Sequence, residues 1–194
     1  FNSTCIKANV PYINESRVTP KVYYESSRRL LDIDVKGNYA FRKKVNAETA
    51  PAVDYGNGGD LSLLTNGVKG GSDYKVQWVG WQGKNFNLVM DLERSVNTTS
   101  IAVSSMWDPT SWALHPASVT CLVSGNGRDY NSLGKIITPG NQQQDELHRS
   151  FNFKGPGYAI RYVKFEVTGT LKLPAWHPSA GWKSWVFIDE ITVH

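Results

Sequence analysis

The chain has 194 residues, is 40% hydrophobic and 20% charged, and carries a formal net charge of +4, a profile that suits a folded globular protein with a full core. No apolar run approaches the ~20 residues a membrane helix needs, and Cys5 and Cys121 are too few for a disulfide framework or a zinc site. Lys and Arg are scattered, with Arg28-Arg29 and Arg42-Lys43-Lys44 the only clusters, so no continuous basic stripe marks a nucleic-acid surface and a solvated face is expected.

Residues 1 to about 40 are polar and Asn-rich as far as Thr19-Pro20, then offer two candidate strands, Lys21 to Tyr24 and Leu30 to Val35, ending at Lys36-Gly37-Asn38. They read either as an edge added to the main domain or as the tail of a preceding module. The glycine-rich turn Gly56-Asn57-Gly58-Gly59 precedes Leu63-Leu64-Thr65-Asn66-Gly67, in which Asn66-Gly67 is a tight-turn pair. Trp78-Val79-Gly80-Trp81-Gln82-Gly83 follows.

From residue 86 onward strand signals dominate. Asn87 to Leu92, Ser100 to Ser104, Ser118 to Val123, Tyr130 to Ile137, His148 to Phe153, Tyr158 to Val167 and Trp185 to Val193 are short and rich in β-branched or aromatic residues. Turn formers separate them: Asp108-Pro109, Gly125-Asn126-Gly127, Pro139-Gly140-Asn141, Gly155-Pro156-Gly157 and Pro178-Ser179-Ala180-Gly181. No segment sustains a helical period. Strands with turns at such intervals predict an all-β fold, an antiparallel β-sandwich of jelly-roll type, over residues 41 to 194. Cys121 alternates with Val119 and Val123 and is expected to pack as a small hydrophobe; a bridge to Cys5 stays open in an oxidising compartment.

All seven tryptophans fall in three Gly- and Pro-bounded windows, around residues 78–81, 107–112 and 176–185. Indole rewards burial strongly, so loops that carry it either cap a core or form an aromatic binding surface. Catalytic templates are missing: the sequence has no Gly-x-Ser-x-Gly elbow, His-Glu-x-x-His pair, Walker loop or dinucleotide-binding glycine pattern. His115, His148, His177 and His194 are far apart. A non-catalytic protein is expected.

The order of these pieces resembles the discoidin family, the coagulation-factor type C domains or family 32 carbohydrate-binding modules, and within it the branch appended to family 20 β-hexosaminidases and chitobiase-like enzymes of Bacteroidetes. The matching residues are Leu64-Thr65-Asn66-Gly67 with Gly70, Trp78 with Gly80 and Trp81, Met90-Asp91-Leu92, Ser124 with Asn126-Gly127 and Tyr130, and the long run Trp176 to Ile191. They span about residues 44 to 194.

The resemblance implies a galactose-binding-domain-like sandwich that binds a glycan containing hexose or N-acetylhexosamine, outside the cytoplasm (periplasmic, secreted or at the cell surface), beside a catalytic domain in the same protein. It implies a structural calcium ion held by Asn66 and Glu190 with main-chain oxygens near Leu63, Val68 and Asp189. Asn66 stands where the family has Asp, which removes one negative charge from that site. Membrane adhesion, as in the clotting relatives, is disfavoured because the loops carry Trp rather than paired Leu or Phe spikes.

A pyranose needs a flat aromatic against its C–H face and polar forks for its hydroxyls. Trp107, Trp112, Trp176 and Trp182, with Asp108, His177 and Lys183, are the main candidates; Trp81, His115, Asn85 and Arg128 are further ones. Trp78 and Trp185 fall at family positions where a buried indole is expected, and Trp182 replaces a residue that is usually Gly. The alternative reading is a structural or protein-interaction sandwich without sugar binding.

Overall fold

The computed structural model describes residues 31–32, 36–140 and 142–194. Eleven strands are present among them: β1 (Leu31–Asp32), β2 (Val45–Ala47), β3 (Val68–Lys69), β4 (Val79–Gln82), β5 (Phe86–Asn97), β6 (Ser100–Met106), β7 (Ser118–Ser124), β8 (Asn131–Ile137), β9 (His148–Lys154), β10 (Ala159–Thr168) and β11 (Trp185–Val193). A five-stranded sheet in the order β2-β5-β10-β7-β8 packs against a four-stranded sheet in the order β4-β11-β6-β9, and β1 pairs with β3. Every strand pairing is antiparallel. The fold is the β-sandwich that the alternation predicts.

Period-two burial builds the core. Phe86, Leu88, Met90 and Leu92 of β5, Val119, Cys121 and Val123 of β7, and Val163, Phe165 and Val167 of β10 form one inner face. Ile101 and Val103 of β6, Phe151 and Phe153 of β9, and Val186, Ile188, Ile191 and Val193 of β11 meet it in a single hydrophobic cluster. Each large apolar side chain so buried contributes about 1.5–3 kcal/mol against the entropy of ordering the chain. Cys121 is a free thiol in this layer, pushed up to about 12 by burial, and behaves as an inert hydrophobe. Cys5, its candidate partner, lies outside the described residues, as does the candidate strand Lys21 to Tyr24.

Three strands escape the sequence pattern because they are only two to four residues long. In β4, Gly80 interrupts the pattern for a packing reason: a Cβ there would come within 2.6 Å of the Phe187 ring. Strand β5 runs five residues beyond the predicted Leu92 because it absorbs an irregularity, with Glu93 at φ 66° and the register against β10 shifting between Ile160 and Tyr162. Residues 38–40, on the far side of the boundary drawn from the sequence, are tied to β11: Tyr39 N–H donates to the Val193 carbonyl at 2.7 Å, and Asn38 Oδ1 accepts from Val193 N–H at 3.0 Å.

Trp81 corrects one expectation. Instead of offering a binding face it is 1% exposed, stacks on Phe86 with ring centroids 3.9 Å apart, and donates Nε1–H to the Thr49 carbonyl at 2.9 Å. On β4 its neighbour Gln82 takes the outward position. Trp78 is fully buried as expected and donates to the Gly71 carbonyl at 2.9 Å. Trp185 is half-buried, because it opens β11 opposite Gln82 at the end of the sheet, and it is braced by Phe187 and Tyr55.

Candidate functional site: an aromatic cleft and a buried carboxylate pair

Two turn-rich windows meet at one end of the sandwich. In the first, Asp108 and Ala113 exchange two backbone hydrogen bonds of 2.9 Å. Pro109–Ser111 forms one helical turn between them, and Trp112 closes it in the left-handed region at φ 62°. The Trp112 carbonyl accepts from Trp185 N–H at 2.8 Å, which fastens the loop to β11. In the second window, Leu173 and Trp182 are joined by the Leu173 N–H bond to the Trp182 carbonyl at 2.8 Å, and Gly181 N–H returns to the Leu173 carbonyl at 2.9 Å.

His177 joins the windows. Its Nδ1 accepts from Ser179 N–H at 3.0 Å, so the proton sits on Nε2, which donates to the Pro109 carbonyl at 2.8 Å. Beside this link the Trp112 and Trp182 rings lie 5.7 Å apart at 49°. Trp182 is 65% exposed, far more than its size leads one to expect. Together with Gln82, Lys172, Ala180, Gly181 and Lys183 the two indoles line an open cleft of about 730 Å³.

Four of the candidate residues therefore belong together: Trp112, Trp182 and Lys183 in the cleft and His177 behind it, 8% exposed. The others do not line this cleft. Trp107 is half-buried and donates Nε1–H to the Gln142 carbonyl at 2.9 Å. Asp108 uses its carboxylate to accept from Thr110 N–H at 3.1 Å and Thr110 Oγ1–H at 2.6 Å. Trp176 is half-buried with its ring 5.7 Å from that of His177, and its buried Nε1 has no partner among the described residues.

Asn85 accepts from Gly169 N–H at 3.0 Å, and Arg128 lies on the β7–β8 turn; neither lines the cleft. Gln82 and Lys172 were missed. Alternation on β4 was the available signal for Gln82, whereas Lys172 arrives only through its bridge to Lys183.

His115, expected as a sugar fork, is instead fully buried. Its Nε2–H donates to the Glu146 carbonyl at 3.0 Å, so Nδ1 accepts from Ser105 Oγ at 2.6 Å. Asp145 stands 3.9 Å from Nε2 and is bound by Arg149 at 2.7 Å. Ser105, His115 and Asp145 share residue types with a hydrolytic triad, but Ser105 is 0% exposed and unreachable by a substrate. The network fastens β6 to the 142–149 segment. Burial holds the His115 imidazole neutral, down to about 4.

The second feature is Asp189-Glu190. The register of β11 against β6 shifts between Ile188 and Ile191, a bulge that lets two successive side chains turn inward. Glu190 Oε1 accepts from Gly67 N–H at 3.0 Å and Asp189 Oδ2 from Gly70 N–H at 2.5 Å. Asp189 Oδ1 and Glu190 Oε2 are buried without a partner among the described residues. Burial pushes Asp189 up to about 8, and burial together with the Asp189 charge pushes Glu190 up to about 9.

Two buried carboxyls with orphaned oxygens and no ion pair among the described residues, Lys69 acting on Asp189 only at a distance, are what a hard cation would satisfy. Asn66 fits less well, because its Oδ1 already accepts from Val68 N–H at 2.8 Å. The Leu63 carbonyl accepts from Gln77 Nε2–H at 3.4 Å. No group of three or more His, Cys, Asp or Glu gathers as a metal site among the described residues, so a cation here depends on main-chain oxygens.

No protein-family model matches the chain and no curated protein matches its sequence. Solved structures do. CpGH89CBM32-4 of Clostridium perfringens, in complex with GlcNAc-alpha-1,4-galactose, superposes with a TM-score of 0.50 at 14% identity over 89% of this chain and 99% of that one. The chain has the fold of a family 32 carbohydrate-binding module. Chitosan-binding module 1 of a chitosanase/glucanase from Paenibacillus sp. IK-5 matches with a TM-score of 0.50 at 16% identity, over 81% of this chain and 98% of that module. The C-terminal domain of a Bacteroides fragilis chitobiase gives 0.49 at 16% identity, over 79% and 93%.

Proposed function

We propose that the chain is a non-catalytic carbohydrate-binding module whose ligand stacks on Trp182 in the cleft it shares with Trp112. The exposed indole carries the reading. A 65% exposed tryptophan standing beside Trp112 on a loop braced by His177 makes an exposed aromatic patch of the kind that marks a ligand surface, and its flat face suits the C–H side of a pyranose. Modules of the same fold are described with GlcNAc-alpha-1,4-galactose and with chitosan as ligands, which favours a hexose or N-acetylhexosamine here.

The same reading makes the chain an accessory to a glycoside hydrolase of β-hexosaminidase or chitobiase type, working in the periplasm, at the cell surface or in the medium. There it would raise the local concentration of the enzyme on its polymer. We further propose one calcium ion at Glu190 and Asp189, with main-chain oxygens of the Leu63 to Val68 loop in place of the charge that Asn66 lacks. A glycan array on the wild-type chain and on Trp182→Ala tests the binding reading: hits that vanish in the variant are expected. An array without hits, or hits indifferent to Trp182, would sink it in favour of a structural or protein-interaction sandwich.

A further inference from the structure

We infer that the Trp182 cleft selects saccharides carrying an anionic substituent, a carboxylate or sulfate on the sugar, held between Lys172 and Lys183; this rests on the saccharide reading above. The two lysines stand directly opposite each other in an isolated antiparallel bridge. Like charges in that relation repel and destabilise the pair. Neither has an acidic partner among the described residues, and no carboxylate lines the cleft. Among the described residues the repulsion is therefore uncompensated, and an anion placed between the ammonium groups would turn it into charge-assisted hydrogen bonds.

Lys183 is also partly ordered in advance. Its stem crosses Gly83 so closely that a Cβ there would meet Cγ at 3.0 Å and Cδ at 3.1 Å. Gly83 sits at φ 57°, so both its conformation and the lysine above it ask for glycine. A side chain already held down loses less entropy on binding. Gln82, on the same wall, offers both a donor and an acceptor for hydroxyls.

A second basic depression, at Arg42, Lys43 and Lys44, is less suited to an anion. Asp60 lines it, and Lys43 is already paired with Glu93 at 2.5 Å.

The test compares polymers that differ only in charge. The carboxylate arm uses low-ester and fully methyl-esterified homogalacturonan, and the sulfate arm uses keratan sulfate and its desulfated form, each titrated by tryptophan fluorescence. In at least one arm the charged polymer should bind about fivefold tighter than its neutral counterpart, the sum of two exposed ion contacts. The arm that responds names the anion. The preference should disappear in a Lys172→Met, Lys183→Met double variant that keeps the wild-type melting temperature, and for the wild type at about 0.5 M salt.

Equal affinity for charged and neutral forms in both arms overturns the inference while leaving the saccharide reading intact. A preference that survives in the double variant also overturns it and places the anion elsewhere. Binding of none of the four polymers overturns it too, and the saccharide reading then stands or falls on the Trp182→Ala array.

Discussion

Trp112 and Trp182, brought from separate turns to 5.7 Å between ring centroids, form the aromatic wall of the cleft, and only Trp182 presents most of its surface to water. Removing it should uncouple binding from stability. Trp182→Ala is expected to abolish detectable glycan binding while the unfolding free energy changes by no more than about 0.5 kcal/mol, as for surface substitutions. Calorimetric titration and a urea melt on the same preparation check both halves. A variant that unfolds would show that the indole caps the core.

His177 is expected to act through the loops it joins. His177→Ala removes the 2.8 Å bond to Pro109 and the 3.0 Å bond from Ser179, each worth about 1 kcal/mol. Glycan affinity should drop about tenfold as the Trp112 and Trp182 rings lose their fixed relation, and amide hydrogen exchange should quicken in both windows, at residues 109–113 and 177–182. Faster exchange confined to one window would mean that the imidazole does not couple them.

Trp78 and Trp107 should behave as structural residues. Trp78→Ala leaves a cavity and an unsatisfied Gly71 carbonyl, so it should cost roughly 3–5 kcal/mol. Trp107→Ala should also destabilise, through the lost bond to the Gln142 carbonyl. Sugar affinity of the folded fraction should be retained in both, read from titrations corrected by circular dichroism. Loss of affinity in fully folded Trp107→Ala would restore that residue to the site.

His115 makes its own share of the stability acid-sensitive. Its folded value of about 4 lies below the ordinary histidine value of about 6.5. The unfolded chain therefore takes up a proton that the folded chain refuses. The His115 contribution should be full above about pH 6.5 and fall by up to about 3 kcal/mol as the pH drops towards 4, while Asp189 and Glu190, both raised by burial, act in the opposite direction. His148, lowered by burial and by Lys69, adds in the same direction as His115. The difference in urea midpoint between the wild type and His115→Gln, taken at several pH values, should show this slope. An unchanged slope in the variant would assign the acid sensitivity to other groups.

Calcium should stabilise the native state by mass action if Glu190 and Asp189 hold it. A chelator is expected to lower the melting temperature of the wild type by several degrees and to leave Glu190→Gln unmoved. A melting temperature indifferent to both calcium and chelator would remove the proposed cation.

Residues 86 to 193 wrote their strands plainly, because two-residue alternation with β-branched and aromatic side chains is a local signal that survives without knowledge of neighbours. The Asn66-Gly67 turn and the long run Trp176 to Ile191 likewise pointed to the fold through residues close together in the chain. The roles of the individual tryptophans were not legible, since an indole on a turn looks the same whether the facing sheet covers it, as Phe86 covers Trp81, or leaves it open, as at Trp182.

That outcome depends on which loops the sheet order brings together. The burial of His115 was not legible for the same reason: it comes from residues 142–146 folding over the ring. The opposition of Lys172 to Lys183 and the inward turn of both Asp189 and Glu190 are properties of strand register. Register is set by long-range pairing and a bulge, so only the tertiary structure decides it.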